Sequence, residues 1–212
     1  IRKILKVFPM TNNIGLLLTH FFVKENEGYK WNWVKKSIIL NKKINKNFQI
    51  VLSGHGQFPP KKILDLIHGL HWEKKIRENQ IGMGHPHFVL KGFQICKELS
   101  CKTTLKKRAF DWIEHDKILN LKLVFCSTNT NFKKKQLSDL IMYGDTNLLI
   151  RLWSCNEWDH NLQDGLENLF INMLKIYKDI NFFKKEVTLL SSRELGWKTF
   201  YDYKGEGPKY WG

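Results

Sequence analysis

Short apolar runs bounded by turn residues alternate along this chain with longer runs that have helical spacing. The run Phe48–Leu52 predicts a buried strand that ends in the turn residues Ser53–Gly56. Pro59 and Pro60 predict the first turn of a helix, because proline is tolerated there. The other predicted elements are strands over 3–8, 103–108, 122–126 and 187–190, helices over 13–25, from about residue 88 and from about 166 to 177, and a loop over 82–86.

The alternation of strands and helices through the first half of the chain predicts the fold class. Parallel strands need crossover connections, which are usually helices packed on the sheet. We therefore expect an α/β protein, a single domain over residues 1–212, with a mostly parallel central sheet and helices on both faces. In such sheets, ligands bind beyond the carboxyl ends of the strands.

Composition and charge narrow the function classes. With 42% hydrophobic and 26% charged residues, the chain is not a disordered protein. The apolar stretch 14–23 is too short to span a bilayer, and residues 1–6 lack the long apolar segment of a signal peptide, so we expect a soluble, cytoplasmic protein. The formal net charge of +15 favours a polyanionic partner: nucleic acid, an anionic membrane surface or a phosphorylated small molecule. The chain is also rich in Lys, Asn and Ile, the residues of A- and T-rich codons, so part of the excess is consistent with biased codon usage, and the lysines are dispersed along the chain.

Several well-known motifs are absent from the sequence. The four cysteines form no Cys-x-x-Cys pair, and neither a P-loop nor a dinucleotide-binding glycine pattern is present. His85 and His87 flank a proline at a spacing that differs from the helical pair of zinc proteases. We expect His85 to cap the following helix or to contact a ligand phosphate, rather than to form a metal site with His87.

Three predicted strand ends carry polar or glycine-rich residues that would meet at one edge of the sheet. They contribute Thr11 and Asn12, then Ser53 and Gly54, and then the segment Lys106–Asp111. Glycine allows a backbone to approach a ligand closely, although a simple strand-to-helix turn explains Ser53 and Gly54 equally well. This convergence predicts a ligand site at that edge of the sheet, beyond the carboxyl ends of the strands.

The segment Lys106–Asp111 combines cations with a carboxylate at the end of a predicted central strand. Arg108 can bind a phosphate through two hydrogen bonds, and Asp111 can bind a divalent cation that neutralises a leaving diphosphate. The alternative is an ordinary ion pair between Arg108 and Asp111 on the surface.

Three further carboxylates are candidates for acid–base chemistry. Asp139 has no obvious structural duty, whereas Asp145 is placed to cap the helix that follows it. Asp164 and Glu167 have the spacing of a capping box, and the same spacing puts two carboxylates at one helix end, where a general base would be needed.

Taken in order, these segments resemble a family. The series contains the strand ending in Ser53-Gly54, the segment Gly84-His85-Pro86, the run Thr104–Asp111, Leu137-Ser138-Asp139 with Tyr143-Gly144-Asp145, and the helix start from Asp164 to Phe170. It is similar to the GT-A-type glycosyltransferases that build lipopolysaccharide, capsule or related surface glycans, over roughly residues 1–175. The resemblance implies a GT-A-like, Rossmann-like fold with a nucleotide-binding half (1–115) and an acceptor half with a C-terminal tail (116–212).

The resemblance also implies roles for individual residues. Asp111 would bind the metal, Mn²⁺ or Mg²⁺, or the sugar nucleotide, and Lys106 or Arg108 would contact phosphate. Asp139 would line the donor or acceptor pocket, and Asp164 or Glu167 would act as the base. The spacing here is Arg-x-x-Asp, whereas the family usually shows Asp-x-Asp or Arg-x-Asp.

The resulting prediction is an enzyme that transfers a sugar from a nucleoside-diphosphate donor to a hydroxyl of a glycan acceptor. The basic charge would also favour docking beside anionic lipid at the inner membrane face. The alternative is a basic nucleic-acid-binding protein without catalysis, which is favoured by the net charge and by aromatic-plus-lysine segments such as Tyr29–Lys36.

Overall fold

A computed structural model describes residues 2–4, 13–21, 30–74, 81–127, 137–154, 187–191 and 193–199. The strands are β1 Arg2–Ile4, β2 Ile14–Phe21, β3 Phe48–His55, β4 Gly69–Glu73, β5 Thr103–Arg108, β6 Asp111–Trp112, β7 Leu123–Ser127, β8 Leu137–Asp145, β9 Val187–Leu190 and β10 Lys198–Thr199. The helices are α1 Lys30–Ile44, α2 Lys61–Leu64, α3 Ile81–Glu98 and α4 Thr146–Trp153, with a 3₁₀ turn at His115–Lys117.

Eight of the described strands form one sheet in the order β1-β4-β3-β2-β5-β8-β7-β9. β4, β3, β2 and β5 are parallel neighbours, and β7 and β9 also pair in parallel. β1 pairs antiparallel with β4, and β8 pairs antiparallel with both β5 and β7. Six of the eight strands therefore run in one direction, which confirms the mostly parallel α/β sheet. β6 and β10 form a separate antiparallel pair.

Helices cover both faces of the sheet, as predicted. α1 and α2 pack on one face through Trp31, Val34, Ile38 and Ile63, and α3 and α4 pack on the other through Val89, Phe93, Leu149 and Leu152. The central strand β2 shows why both faces must be covered. Leu16 and Leu18 contact the first helical layer and Leu17 contacts the second, and none of the three is exposed.

The predicted helix over 13–25 is wrong, because this apolar segment forms β2. A short, continuous apolar run is compatible with a buried strand or a buried helix, and periodicity alone does not separate the two. Here the run is buried on both faces between β3 and β5, which is typical of a central parallel strand.

Three other predicted boundaries also change. The loop over 82–86 is wrong, since α3 begins at Ile81 and continues through the glycines and proline. β3 extends to His55, so the predicted turn residues Ser53 and Gly54 lie within a strand. The first strand covers Arg2–Ile4 and lies antiparallel at the sheet edge, so it is not a parallel strand of the interior.

Several other described elements agree with the sequence prediction, whereas the analysis predicted no helix or strand where the structure has α1, β4, β6, β8 and β10. The strands over 103–108 and 187–190 have the predicted bounds, and β7 covers 123–127 where 122–126 was predicted. Pro60 precedes α2, and Asp145 caps α4 by accepting a hydrogen bond from the backbone N–H of Leu148 at 2.8 Å. The helix predicted near 166–177 lies outside the described residues. None of the described helices combines the length and the apolar character that a membrane crossing requires.

Candidate functional site

The order of the central strands defines a crevice. From β2 the chain adds β3 and then β4 on one side, and then returns to place β5 on the other side of β2. In open α/β sheets, ligands bind outside the carboxyl ends of the strands at the point where the order reverses. Here that point lies between the ends of β2 and β5, where Thr19 pairs with Arg108. We call the side of the sheet where β2, β3, β4 and β5 end the carboxyl edge.

Arg108 and Asp111 form a bidentate ion pair at this point. Arg108 Nε donates to Asp111 Oδ2 at 2.7 Å, and Arg108 Nη2 donates to Asp111 Oδ1 at 3.0 Å. The Asp111 side chain is 0% exposed, whereas the Arg108 side chain is 24% exposed. The pair is therefore more than an ordinary surface contact, because one partner is completely removed from solvent.

Two aromatic rings contact the Arg108 guanidinium. Arg108 Cζ lies 5.1 Å from the ring centroid of Phe110 and 5.5 Å from that of Trp197. Trp197 reaches this position because β10 pairs with β6, which places Thr199 opposite Asp111. Cation–π contacts of this kind add to the ion pair in fixing the plane and direction of the Arg108 guanidinium.

A buried lysine lies beside Asp111. Lys107 is 0% exposed, and its Nζ donates to Ser37 Oγ of α1 at 3.3 Å and to the backbone carbonyl oxygen of Asp111. Burial lowers the pKa of Lys107 to about 7, and the negative charge of Asp111 opposes this shift. Lys107 therefore loses much of its charge near neutral pH.

The end of β2 contributes a buried histidine. The His20 ring makes edge contacts with Trp31 and Phe110, with 5.5 Å between centroids in both cases. Burial lowers the pKa of His20 to about 3, and the charges of Lys30 and His55 act in the same direction. The imidazole is therefore neutral at physiological pH, and Phe110 links it to the Arg108 guanidinium.

The predicted residues of β3 have mainly structural contacts. Ser53 Oγ donates to the backbone carbonyl oxygen of Phe88 at 2.6 Å, which ties β3 to α3. At Gly54, a Cβ atom would collide with the backbone carbonyl oxygen of His20. Gly54 thus allows β2 and β3 to approach each other closely just before the carboxyl edge.

Lys106 is fully buried, with its Nζ 5.9 Å from the ring centroid of Trp153 on α4. Asp139 lies near the start of β8, and because β8 is antiparallel to β5, the backbone of Asp139 is at the carboxyl edge. The backbone of His85 lies in the first turns of α3. Thr11, Asn12, Asp164 and Glu167 lie outside the described residues, so their predicted roles stay predictions.

A second group of polar side chains, which the sequence analysis did not predict, lies at the carboxyl end of β4. His71 Nε2 is 3.4 Å from Glu73 Oε1, and His87 Nε2 is 3.3 Å from the same oxygen. Among the described residues, these three are the group of His, Cys, Asp or Glu whose ligand atoms lie close enough to share an ion. The sequence signal for this group is His71-x-Glu73, because residues two apart on a strand place their side chains on the same face.

His71 is the buried member of this group. Its side chain is 8% exposed, whereas Glu73 and His87 are 40% and 47% exposed. Burial lowers the pKa of His71 to about 4, the charge of His87 adds to this shift, and Glu73 opposes it. His71 is therefore neutral at physiological pH, which is the protonation state that a metal ligand requires.

No protein-family model matches the chain, and a search of curated proteins finds no match. Among solved structures, the chain is similar to a glycosyltransferase involved in the glycosylation of the major capsid of PBCV-1, with 12% identity and a TM-score of 0.45 over 84% of this chain and 82% of that one. It is also similar to a protein described as a nucleotide-diphospho-sugar transferase from Desulfovibrio desulfuricans G20, with 7% identity and a TM-score of 0.47 over 85% of this chain and 80% of that one. The case for a function therefore rests on the geometry of this chain.

Proposed function

We propose that this protein is a glycosyltransferase that moves a sugar from a nucleoside-diphosphate donor to a hydroxyl of a glycan acceptor in surface polysaccharide synthesis. The observation that carries the proposal is the position of Arg108, held at the crevice between β2 and β5 by Asp111, Phe110 and Trp197. A partly exposed guanidinium with a fixed direction, at the point of a parallel sheet where ligands bind, suits a diphosphate.

The chemistry of sugar transfer explains the need for such a cation. When the anomeric bond breaks, negative charge develops on the leaving diphosphate, and preorganised positive charge stabilises the transition state. Arg108 would supply this charge directly. Lys107, one residue earlier, is fully buried. When it is protonated, it would add positive potential at the site from the protein interior.

In this proposal Asp111 is a positioning residue. Both of its oxygens accept hydrogen bonds from Arg108, and the side chain is 0% exposed. Its role as a ligand of Mn²⁺ or Mg²⁺ stays a prediction, because an ion at Asp111 would have to compete with the guanidinium for the same oxygens.

The acceptor side is assigned to the second half of the chain, residues 116–212, with the donor bound by residues 1–115. Asp139 supports this division through the position of its backbone at the carboxyl edge, on the strand next to β5. If the reaction inverts the sugar configuration, a carboxylate must take the proton of the acceptor hydroxyl. We keep Asp164 and Glu167 as the candidates for this base.

The binding experiment compares the wild-type chain with Arg108→Lys in a thermal-shift panel of nucleoside diphosphates, with and without Mn²⁺. We expect one nucleotide family to raise the Tm of the wild type in a saturable way and to have little effect on Arg108→Lys, because lysine does not reproduce the bidentate, stacked geometry. Arg151→Lys, an exposed residue of α4, is the matched control and should respond like the wild type.

Two results would contradict the proposal. The first is the absence of any saturable nucleotide effect. The second is strong binding of single-stranded nucleic acid that falls steeply with salt, which is the signature of the alternative function.

Transfer assays on Asp111→Asn give a separate test: we expect nearly complete loss of transfer, since the guanidinium loses its fixed direction, with the fold retained.

A further inference from the structure

We propose that His71, Glu73 and His87 bind one divalent first-row transition-metal ion, with zinc as the best match, at the carboxyl end of β4. This site is separate from the Arg108–Asp111 pair, and the proposal does not depend on the transferase function. It rests on the spacing of the three ligand atoms, the burial of His71 and the rigidity of the elements that hold them.

The spacing matches a shared ion. Zinc binds imidazole nitrogen and carboxylate oxygen at about 2.0–2.2 Å, so two such ligands at the tetrahedral angle lie about 3.3–3.6 Å apart. Glu73 Oε1 lies 3.4 Å from His71 Nε2 and 3.3 Å from His87 Nε2, and the ligand atoms of all three residues lie within 4.8 Å of one another. An ion can therefore enter with small side-chain adjustments.

His71 has a buried polar ring that needs a partner. Both of its nitrogens are buried, and neither makes a hydrogen bond within the part of the chain that the structure describes. Buried polar atoms without partners are rare in native proteins because each loses the hydrogen bonds it would make with water. A metal on Nε2 would supply the missing partner at that atom.

The fold holds the ligands without the ion. His71 and Glu73 are two residues apart on β4, so both side chains leave the same face of the strand. β4 pairs with β3, with His71 opposite Ser53 and Glu73 opposite His55, and this pairing fixes the position of both residues along the strand. His87 comes from α3, which Ser53 ties to the sheet through its hydrogen bond to the Phe88 carbonyl.

The Phe88 ring packs against the imidazoles of this region. Its centroid lies 5.7 Å from that of His71, 5.7 Å from that of His87 and 5.2 Å from that of His55. These ring contacts limit the rotation of the two histidine ligands, so little ordering is left for the ion to impose.

The ligand set selects the class of ion. Two imidazoles and one carboxylate suit zinc and the neighbouring first-row ions, whereas Mg²⁺ and Ca²⁺ prefer oxygen ligands only. Three protein ligands leave a fourth position for water or an incoming group, as in catalytic zinc sites. β4 runs parallel to β2 and β5, so its carboxyl end lies at the same edge of the sheet as Arg108. β4 is two strands from β2, on the order of 10 Å away in the sheet.

The test measures binding of the metal alone to the full chain after chelator treatment. Titration with Zn²⁺ should show one ion per chain, and Co²⁺ in its place should give the intense visible absorption of a four-coordinate ion. Glu73→Gln and His87→Gln should each weaken Zn²⁺ binding by more than the 10–100-fold that loss of an outer-shell partner causes. Both residues are substantially exposed, so these variants should keep the wild-type circular dichroism spectrum.

Glu98→Gln is the matched control, since Glu98 is exposed at the far end of the same helix as His87. It should bind Zn²⁺ like the wild type, and millimolar Mg²⁺ should not displace the ion. The proposal is overturned if no stoichiometric Zn²⁺ binding occurs, or if Glu73→Gln and His87→Gln bind as tightly as the control.

Discussion

The buried Lys107 should make the stability of this protein rise with pH in a range where most surface groups are silent. Its pKa falls to about 7 in the folded chain, because burial in the core opposes the charged form, while the ordinary value for lysine is 10.5. Between these values the unfolded chain binds a proton that the folded chain does not. The free energy of unfolding therefore increases with pH across this interval.

The magnitude follows from the two pKa values. Each pH unit across which only the unfolded chain is protonated adds about 1.4 kcal/mol. From pH 7 to pH 9, allowing for partial protonation of the folded chain near pH 7, Lys107 should contribute a rise of about 2 kcal/mol. The range ends at pH 9 because burial raises the pKa values of the Cys101 and Cys126 thiols to about 12, from the ordinary value of 9.0. Above pH 9 these thiols ionise in the unfolded chain but stay protonated in the folded chain, so the free energy of unfolding falls.

The assay is urea unfolding at pH 7, 8 and 9, followed by tryptophan fluorescence and extrapolated to zero denaturant. Lys107→Met keeps a side chain of similar length without the charge, so its unfolding free energy should lack the rise of about 2 kcal/mol. Lys97→Met, at an exposed position of α3, should keep the wild-type rise. If Lys107→Met shows the same rise as the wild type, Lys107 stays charged in the folded protein and the reasoning is refuted.

Four further substitutions test contacts at the candidate site and elsewhere in the fold. Arg108→Ala should lower the free energy of unfolding by about 3–5 kcal/mol, because it leaves the fully buried Asp111 carboxylate unpaired. Asp111→Asn should cost clearly less, since Arg108 is partly exposed, and equal losses in urea unfolding would contradict this. Gly54→Ala should cost at least about 1–3 kcal/mol through collision with the His20 backbone, and an unchanged urea midpoint would argue against the close approach. Asp145→Ala should lower stability by about 1 kcal/mol through loss of the α4 cap, and an unchanged Tm would show that the cap contributes nothing.

The sequence predicted β5 with its correct bounds because local signals agree there. Thr103–Arg108 follows the polar residue Lys102 and a helix with a clear apolar face. The burial of Lys106 and Lys107 was not predictable from the same segment, because lysine is among the residues least often buried. Their burial depends on Trp153 and Ser37, which come from helices distant in the chain.

The same limit explains what was missed at the carboxyl edge. The Arg108–Asp111 pair is local, and the sequence analysis identified both residues. His87 was compared with its neighbour His85, whereas the structure brings it to His71 and Glu73 through the packing of α3 on β4. Trp197 reaches Arg108 through the pairing of β10 with β6, which no local pattern indicated.

The exposed lysines on the surface and the cations at the candidate site are different groups. Exposed lysines such as Lys36 and Lys43 lie on the solvent side of α1, which packs against a face of the sheet. Arg108 and Lys107 are at the carboxyl edge, largely removed from solvent. Salt screens exposed charges much more than buried ones. Binding through α1 would therefore weaken steeply as salt rises, whereas a diphosphate bound at Arg108 would lose less affinity, and a salt series on the nucleotide titration separates the two surfaces.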